Sequence, residues 1–262
     1  MKIYVLILFL VTLTALGVQG LIGGTLIYPH SLPYMVFLDV VGSTNTTRCS
    51  GALISNDYVL TAARCLKNST SVRVVLGADD VTVKEEMQVS FDTDQSNFII
   101  HENFVDETLE NDIALIKLPS SVESNEYIQV ISIATEDQVK EELGELVVVS
   151  GWGLTYYGYP DSMATVPLAE WLVVLNNTDS ECGRFGTLVK DTNICCSTTN
   201  SWDGPLQLCD GDWGDPLVND GKNKTLFGIA SFTAYESCVM GKPNIFTNVP
   251  KYSEWIKSNA NI

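Results

Sequence analysis

The chain has 262 residues, with 15 basic side chains against 32 acidic ones and a formal net charge of −17. Phosphate-rich partners repel such a surface, so nucleic acid and anionic membrane are excluded as partners. The length suits one large all-β domain or two small ones.

Lys2 is followed by an apolar run, Ile3 to Leu16, and then by Gly17-Val18-Gln19-Gly20. This pattern predicts a signal peptide over 1–20, a mature chain over 21–262 and a secreted, extracellular protein. The run falls short of the roughly 20 residues a bilayer span needs. Seven cysteines, all beyond this segment, predict three disulfides and one odd thiol in an oxidising compartment. Sequons at Asn45, Asn68, Asn176 and Asn223 are expected glycosylation sites.

Along the mature chain, Leu21-Ile22-Gly23-Gly24 comes first. Tyr34 to Leu38, Cys49 to Ile54 and Ser71 to Leu76 then read as short strands. Between them lies Leu60-Thr61-Ala62-Ala63-Arg64-Cys65, and further on Asn111-Asp112-Ile113-Ala114-Leu115. Leu146 to Ser150 is a continuous apolar strand leading into Gly151-Trp152-Gly153. Next come Asn193-Ile194-Cys195 and Cys209-Asp210-Gly211-Asp212-Trp213-Gly214-Asp215-Pro216-Leu217. Near the end, Tyr252, Trp255 and Ile256 fall at helical spacing. Many short strands and no internal repeat point to barrels or sandwiches.

These motifs, in this order, resemble the chymotrypsin- and trypsin-like serine proteases, with details such as His101-Glu102-Asn103 closest to insect chymotrypsin-like and collagenase-like members. The resemblance covers nearly all of residues 21–262. It implies an all-β fold of two packed six-stranded antiparallel barrels, divided near residue 130, with a C-terminal α-helix.

Residue by residue, the resemblance places Arg64 where the family has its general-base histidine, Asp112 where it has the orienting aspartate and Trp213 where it has the reactive serine. Arginine presents donors only and keeps its proton, and an indole offers no attacking oxygen. The chain is therefore expected to be no enzyme, with an Arg64–Asp112 ion pair in the old catalytic corner. The backbone N–H groups of Gly211 and Trp213 take the oxyanion-hole position.

The resemblance further implies disulfides Cys49–Cys65, Cys182–Cys195 and Cys209–Cys238. Cys196 is left over, as a buried thiol or as a handle for an intermolecular bridge. The specificity pocket falls on Gln207, Ser231, Thr233 and Asn244, where added bulk predicts a narrowed pocket. The amine of Leu21 is expected to fold inward onto Asp212. Trp213 either plugs the cleft or projects as a binding anchor, with the Asp215 carboxylate presented beside it.

His30 and His101 lie away from the catalytic place and are given no chemical role. The acidic stretch from Gly77 to Glu86 reads as a solvated loop, with no metal and no cofactor expected. The functional expectation is a secreted non-catalytic homologue that binds a protein, as cofactor, decoy or modulator of host defence or clotting. A residual or repurposed serine-type endopeptidase is the alternative, and a carbohydrate-binding or storage role a third.

Overall fold

The computed structural model describes residues 24–197, 200–201, 204–205, 207–233, 238 and 242–262. The expected signal segment and Leu21 lie outside the described residues.

Two sheets make up most of the fold, antiparallel except where Ser132–Ile133 runs parallel to Thr225–Leu226. The first contains β2 (Met35–Gly42), β3 (Thr46–Ser55), β4 (Tyr58–Thr61), β5 (Ser69–Leu76), β6 (Val89–Asp94), β7 (Phe98–Ile100) and β8 (Ala114–Lys117), in the order β6-β5-β2-β3-β4-β8-β7. The second contains β1 (Thr25–Leu26), β9 (Ser132–Ile133), β10 (Leu146–Gly151), β11 (Leu168–Leu175), β12 (Asn193–Ser197), β15 (Pro216–Asn219), β16 (Thr225–Phe232) and β17 (Asn244–Asn248). A small hairpin of β13 (Asn200–Ser201) and β14 (Gly204–Pro205) stands apart.

In the second sheet β11 pairs with both β10 and β12, which closes six strands, β11-β10-β15-β16-β17-β12, into a barrel. The first sheet curves as an open half-barrel. Closure removes the exposed strand edges that would otherwise invite aggregation. The expected β-barrel architecture is thus present, with the C-terminal helix α3 (Ser253–Ala260) beyond it.

The two ends of the chain cross over. β1 adds to β11 of the second sheet, whereas Tyr252, Ile256 and Ala260 pack into the core of the first. Leu38, Leu53, Leu60, Ile113, Leu115 and Ile116 are fully buried there, each contributing about 1.5–3 kcal/mol. Val148, Trp152, Val218 and Ile229 of the second half join the same cluster, so the halves share apolar surface.

Trp152 sits at that seam. Its ring meets Phe37 edge to face at 5.7 Å, and its Nε1 donates to the Asp79 carbonyl. Disulfides Cys49–Cys65, Cys182–Cys195 and Cys209–Cys238 are formed, and Cys196 is a buried free thiol. All four sequon asparagines are exposed. In the 77–86 loop, Glu85 accepts from the N–H groups of Asp79 and Asp80.

Candidate functional site

β4 runs into α1 (Ala63–Leu66), a single turn that carries Arg64 to the cleft between the halves. The Cys49–Cys65 bridge pins this turn to β3. In the same half, just ahead of β8, Asn111 adopts a left-handed backbone with φ 57°. Asparagine tolerates that geometry, and its side chain fixes the bend: Nδ2 donates to the Asn103 carbonyl and Oδ1 accepts from the Tyr252 hydroxyl. The next residue, Asp112, is thereby turned inward, with 1% exposure.

Asp112 binds both halves. Its Oδ1 accepts from the Arg64 backbone N–H at 2.8 Å, its Oδ2 from Ser231 Oγ at 2.6 Å, and its carbonyl from Thr247 Oγ1 at 2.7 Å. Burial outweighs these bonds and raises its carboxyl to about 6.

The expected Arg64–Asp112 side-chain pair does not form. Asp112 is satisfied by the backbone N–H of Arg64 and by Ser231, which leaves the guanidinium free to turn away. The guanidinium stands 4.1 Å over the Trp213 ring, and its Nη1 donates to the Ser231 carbonyl at 2.7 Å. Among the described residues it has no carboxylate within 4.0 Å.

Trp213 rides on a tight turn built by two glycines. Gly211 and Gly214 have φ of 97° and 87°, and a Cβ on Gly214 would lie 2.1 Å from the Ser50 carbonyl, so only glycine fits there. The Asp212 N–H donates to Cys209 O, Asp215 N–H to Asp212 O, and Ser50 N–H to Trp213 O. The N–H groups of Gly211 and Trp213 have no protein acceptor among the described residues. The ring lies partly buried in the cleft rather than projecting from the surface.

Below the turn lies a set of buried carboxylates that the motifs did not foretell as a group. Asp212 accepts from the N–H groups of Cys209 and Gly153. Asp215 is fully buried and faces the Gly151 backbone, so the expectation that it is presented beside Trp213 is corrected: the turn swings it inward. Ser50 and Asp212 lie near enough to influence its charge, yet neither completes a hydrogen bond to its oxygens. Burial, and for Asp215 the neighbouring Asp212, pushes both acids well up. Glu170, in the middle of β11, is raised to about 9 by burial and by Asp212. Its signal was a lone charge inside the apolar strand Leu168–Leu175.

The pocket residues Gln207, Thr233 and Asn244 meet in a buried polar cluster. Gln207 Nε2 donates to Thr233 Oγ1 at 2.6 Å, Thr233 Oγ1 to the Pro243 carbonyl, and the Leu208 N–H to Asn244 Oδ1. None of these three pocket residues lines the cleft of about 840 Å³ between the halves. Arg64, Trp213 and Gly211 line it together with Arg48, Asp39, Asp161 and Asp210, four residues to which the motifs gave no role. His101 packs against Tyr252 and Trp255, and His30 against Tyr127, outside this cleft.

The sequence matches the Trypsin family over residues 21–256. This chain belongs to the trypsin family. Among its relatives are chymotrypsin of Phaedon cochleariae, 32% identical over 92% of this chain and 82% of the relative, and brachyurin of Leptuca pugilator, 32% identical over 92% and 99%. Chymotrypsin-C of Bos taurus is 34% identical over 92% of this chain and 89% of its own length. The 1.7 Å structure of HL collagenase superposes with a TM-score of 0.79 at 31% identity, covering 92% of this chain and 99% of that one.

These relatives correct the expectation that the chain is no enzyme. That expectation rested on two side chains, Arg64 and Trp213, whereas the similarity runs through nearly the whole chain and joins it to a family of working proteases.

Proposed function

We propose that this trypsin-family chain is a repurposed serine-type endopeptidase, one that engages polypeptide in the cleft between its two halves. The observation that carries this reading is the cleft itself, about 840 Å³, lined by Arg64 together with Gly211 and Trp213, whose backbone N–H groups have no protein acceptor among the described residues. Paired N–H donors suit a peptide carbonyl and the negative charge that develops on it during hydrolysis. The indole of Trp213 offers no oxygen for a covalent acyl intermediate, so in this reading the catalytic corner holds and polarises the carbonyl while a solvent water attacks its carbon, the C–N bond breaks and a proton of that water passes to the leaving amine.

A second use of the same cleft, regulation of another protease through protein binding, is favoured by Trp213 and Arg64, since aromatic and arginine side chains serve as binding anchors. Secretion is part of the proposal. Three disulfides, four exposed sequon asparagines and the apolar segment ahead of residue 21 support it.

Release of residues 1–20 would free the Leu21 ammonium, and the buried acids Asp212, Asp215 and Glu170 offer it a seat in which its charge would favour their ionised form. Amino-terminal sequencing of the secreted protein should read Leu-Ile-Gly-Gly, and a different end would remove that part of the reading.

The main test is a library of internally quenched peptides, with casein as an unfolded protein. Sequence-dependent binding or cleavage is expected. If neither the peptides nor casein are bound or cut, the endopeptidase reading fails.

A further inference from the structure

Among the described residues, Arg64 is a cation whose guanidinium has no carboxylate within 4.0 Å. Its guanidinium is fixed from one side by the Trp213 ring at 4.1 Å and from another by the Ser231 carbonyl at 2.7 Å. A guanidinium has five N–H donors, and one of them is engaged by Ser231. The nearest acid, Asp112, is taken by the backbone N–H of Arg64 and by Ser231 Oγ. Arg64 lines the cleft together with Gly211 and Trp213, whose backbone N–H groups have no protein acceptor among the described residues.

We propose that the Arg64 guanidinium, seated on the Trp213 ring, is a carboxylate-recognition site that takes an acidic group of a bound peptide. This rests on the reading of the cleft as a polypeptide site and adds the chemistry of the segment it selects. Arginine's planar fork matches a carboxylate, and a ring-stacked guanidinium is pre-organised, so little freedom is lost on binding. The charges around it set the flanks. Asp39, Asp161 and Asp210 line the same cleft with no basic partner within 4.0 Å among the described residues. They favour basic residues beside the carboxylate and disfavour a multiply charged anion such as phosphate. The preferred ligand is therefore a lysine-bearing peptide with one carboxylate, from an acidic side chain or from its own C-terminus.

The test uses three fluorescein-labelled octapeptides of one lysine-containing sequence: a central glutamine with an amidated end, a central glutamate with an amidated end, and a central glutamine with a free end. A hydrogen-bonded charge of this kind is worth about 1.5–3 kcal/mol, about tenfold or more in affinity. A carboxylate peptide should bind the wild-type chain at least about tenfold more tightly than the uncharged one, and Arg64→Gln should bind all three alike. Preference for the glutamate peptide assigns the site to a side chain, and preference for the free end assigns it to a terminus. Equal binding of the three by wild type, or an unchanged preference in Arg64→Gln, overturns the proposal.

A second arm needs neither a variant nor peptide binding. N-acetylalanine should protect Arg64 from phenylglyoxal, mapped by mass spectrometry, where N-acetylalaninamide does not, with Arg73, exposed outside the cleft, as the internal control. Equal modification under both overturns the carboxylate site. Failure of every octapeptide to bind, with this protection intact, strikes the polypeptide reading alone.

Discussion

The guanidinium of Arg64 lies over the ring of Trp213, 4.1 Å from its centroid, instead of reaching the carboxylate of Asp112. These are the two side chains that the motif resemblance set at the family's histidine and serine places, and their contact is expected to be stabilising. Stacking of this kind contributes about 0.5–2 kcal/mol. A double-mutant cycle with Arg64→Ala and Trp213→Ala, followed by urea unfolding, should return a coupling energy in that range. Additive losses would show that the stack contributes nothing.

Ser231 performs the task first expected of Arg64. Its hydroxyl bonds Asp112 at 2.6 Å and opposes the rise that burial imposes on the carboxyl. Because the folded value of about 6 exceeds the ordinary 3.8, Asp112 contributes stability that is complete below about pH 4 and lost as pH rises through 6. Ser231→Ala should raise the folded value further. The loss, about 1–3 kcal/mol, should be larger at pH 8, where the carboxylate is ionised, than at pH 4. Denaturant titrations at the two pH values check this, and an equal loss at both would assign Ser231 a packing role only.

Cys196 is buried in β12, and burial pushes its thiol well above the ordinary range. A thiolate is the reactive form, so the native protein should not react with dithionitrobenzoate and should release one thiol equivalent after unfolding. Electrophoresis without reductant should show a monomer. Rapid labelling of the folded chain would place Cys196 at the surface instead.

The fold was legible because its signals are local. An uninterrupted apolar run gave β10, alternation gave β5, and helical spacing at Tyr252, Trp255 and Ile256 marked the turn into α3. The corner residues Arg64, Asp112 and Trp213 were legible as positions, through motifs whose order follows the chain. Their partners were not, since no sequence spacing tells whether a guanidinium bonds an acid, a carbonyl or a ring. Ser231 is 119 residues from Asp112, and only the packing of β16 against the Asp112 bend brings them together. The direction of Asp215 depended likewise on the positive φ of Gly214, a backbone choice that a residue letter does not disclose.

That inward turn buries the Asp215 carboxyl completely. Both of its oxygens are buried without a hydrogen-bond partner among the described residues, and Asp212 adds negative charge nearby. The folded-state pKa of Asp215 is raised above the ordinary 3.8, so protonation favours the native chain. Its stabilising contribution is whole below about pH 4 and is lost as pH climbs through the raised value. An unpaired buried charge costs about 3–5 kcal/mol, which bounds the effect. Asp215→Asn keeps the shape and removes the charge. The variant should match wild type at pH 4 and exceed it by a few kcal/mol at pH 8 to 9, so its stability profile should be flatter. Comparing the two proteins at each pH cancels the titrations they share, leaving the term from Asp215. A variant less stable than wild type at pH 8 would mean that the carboxylate already has a cationic partner there, as an inserted Leu21 ammonium would supply.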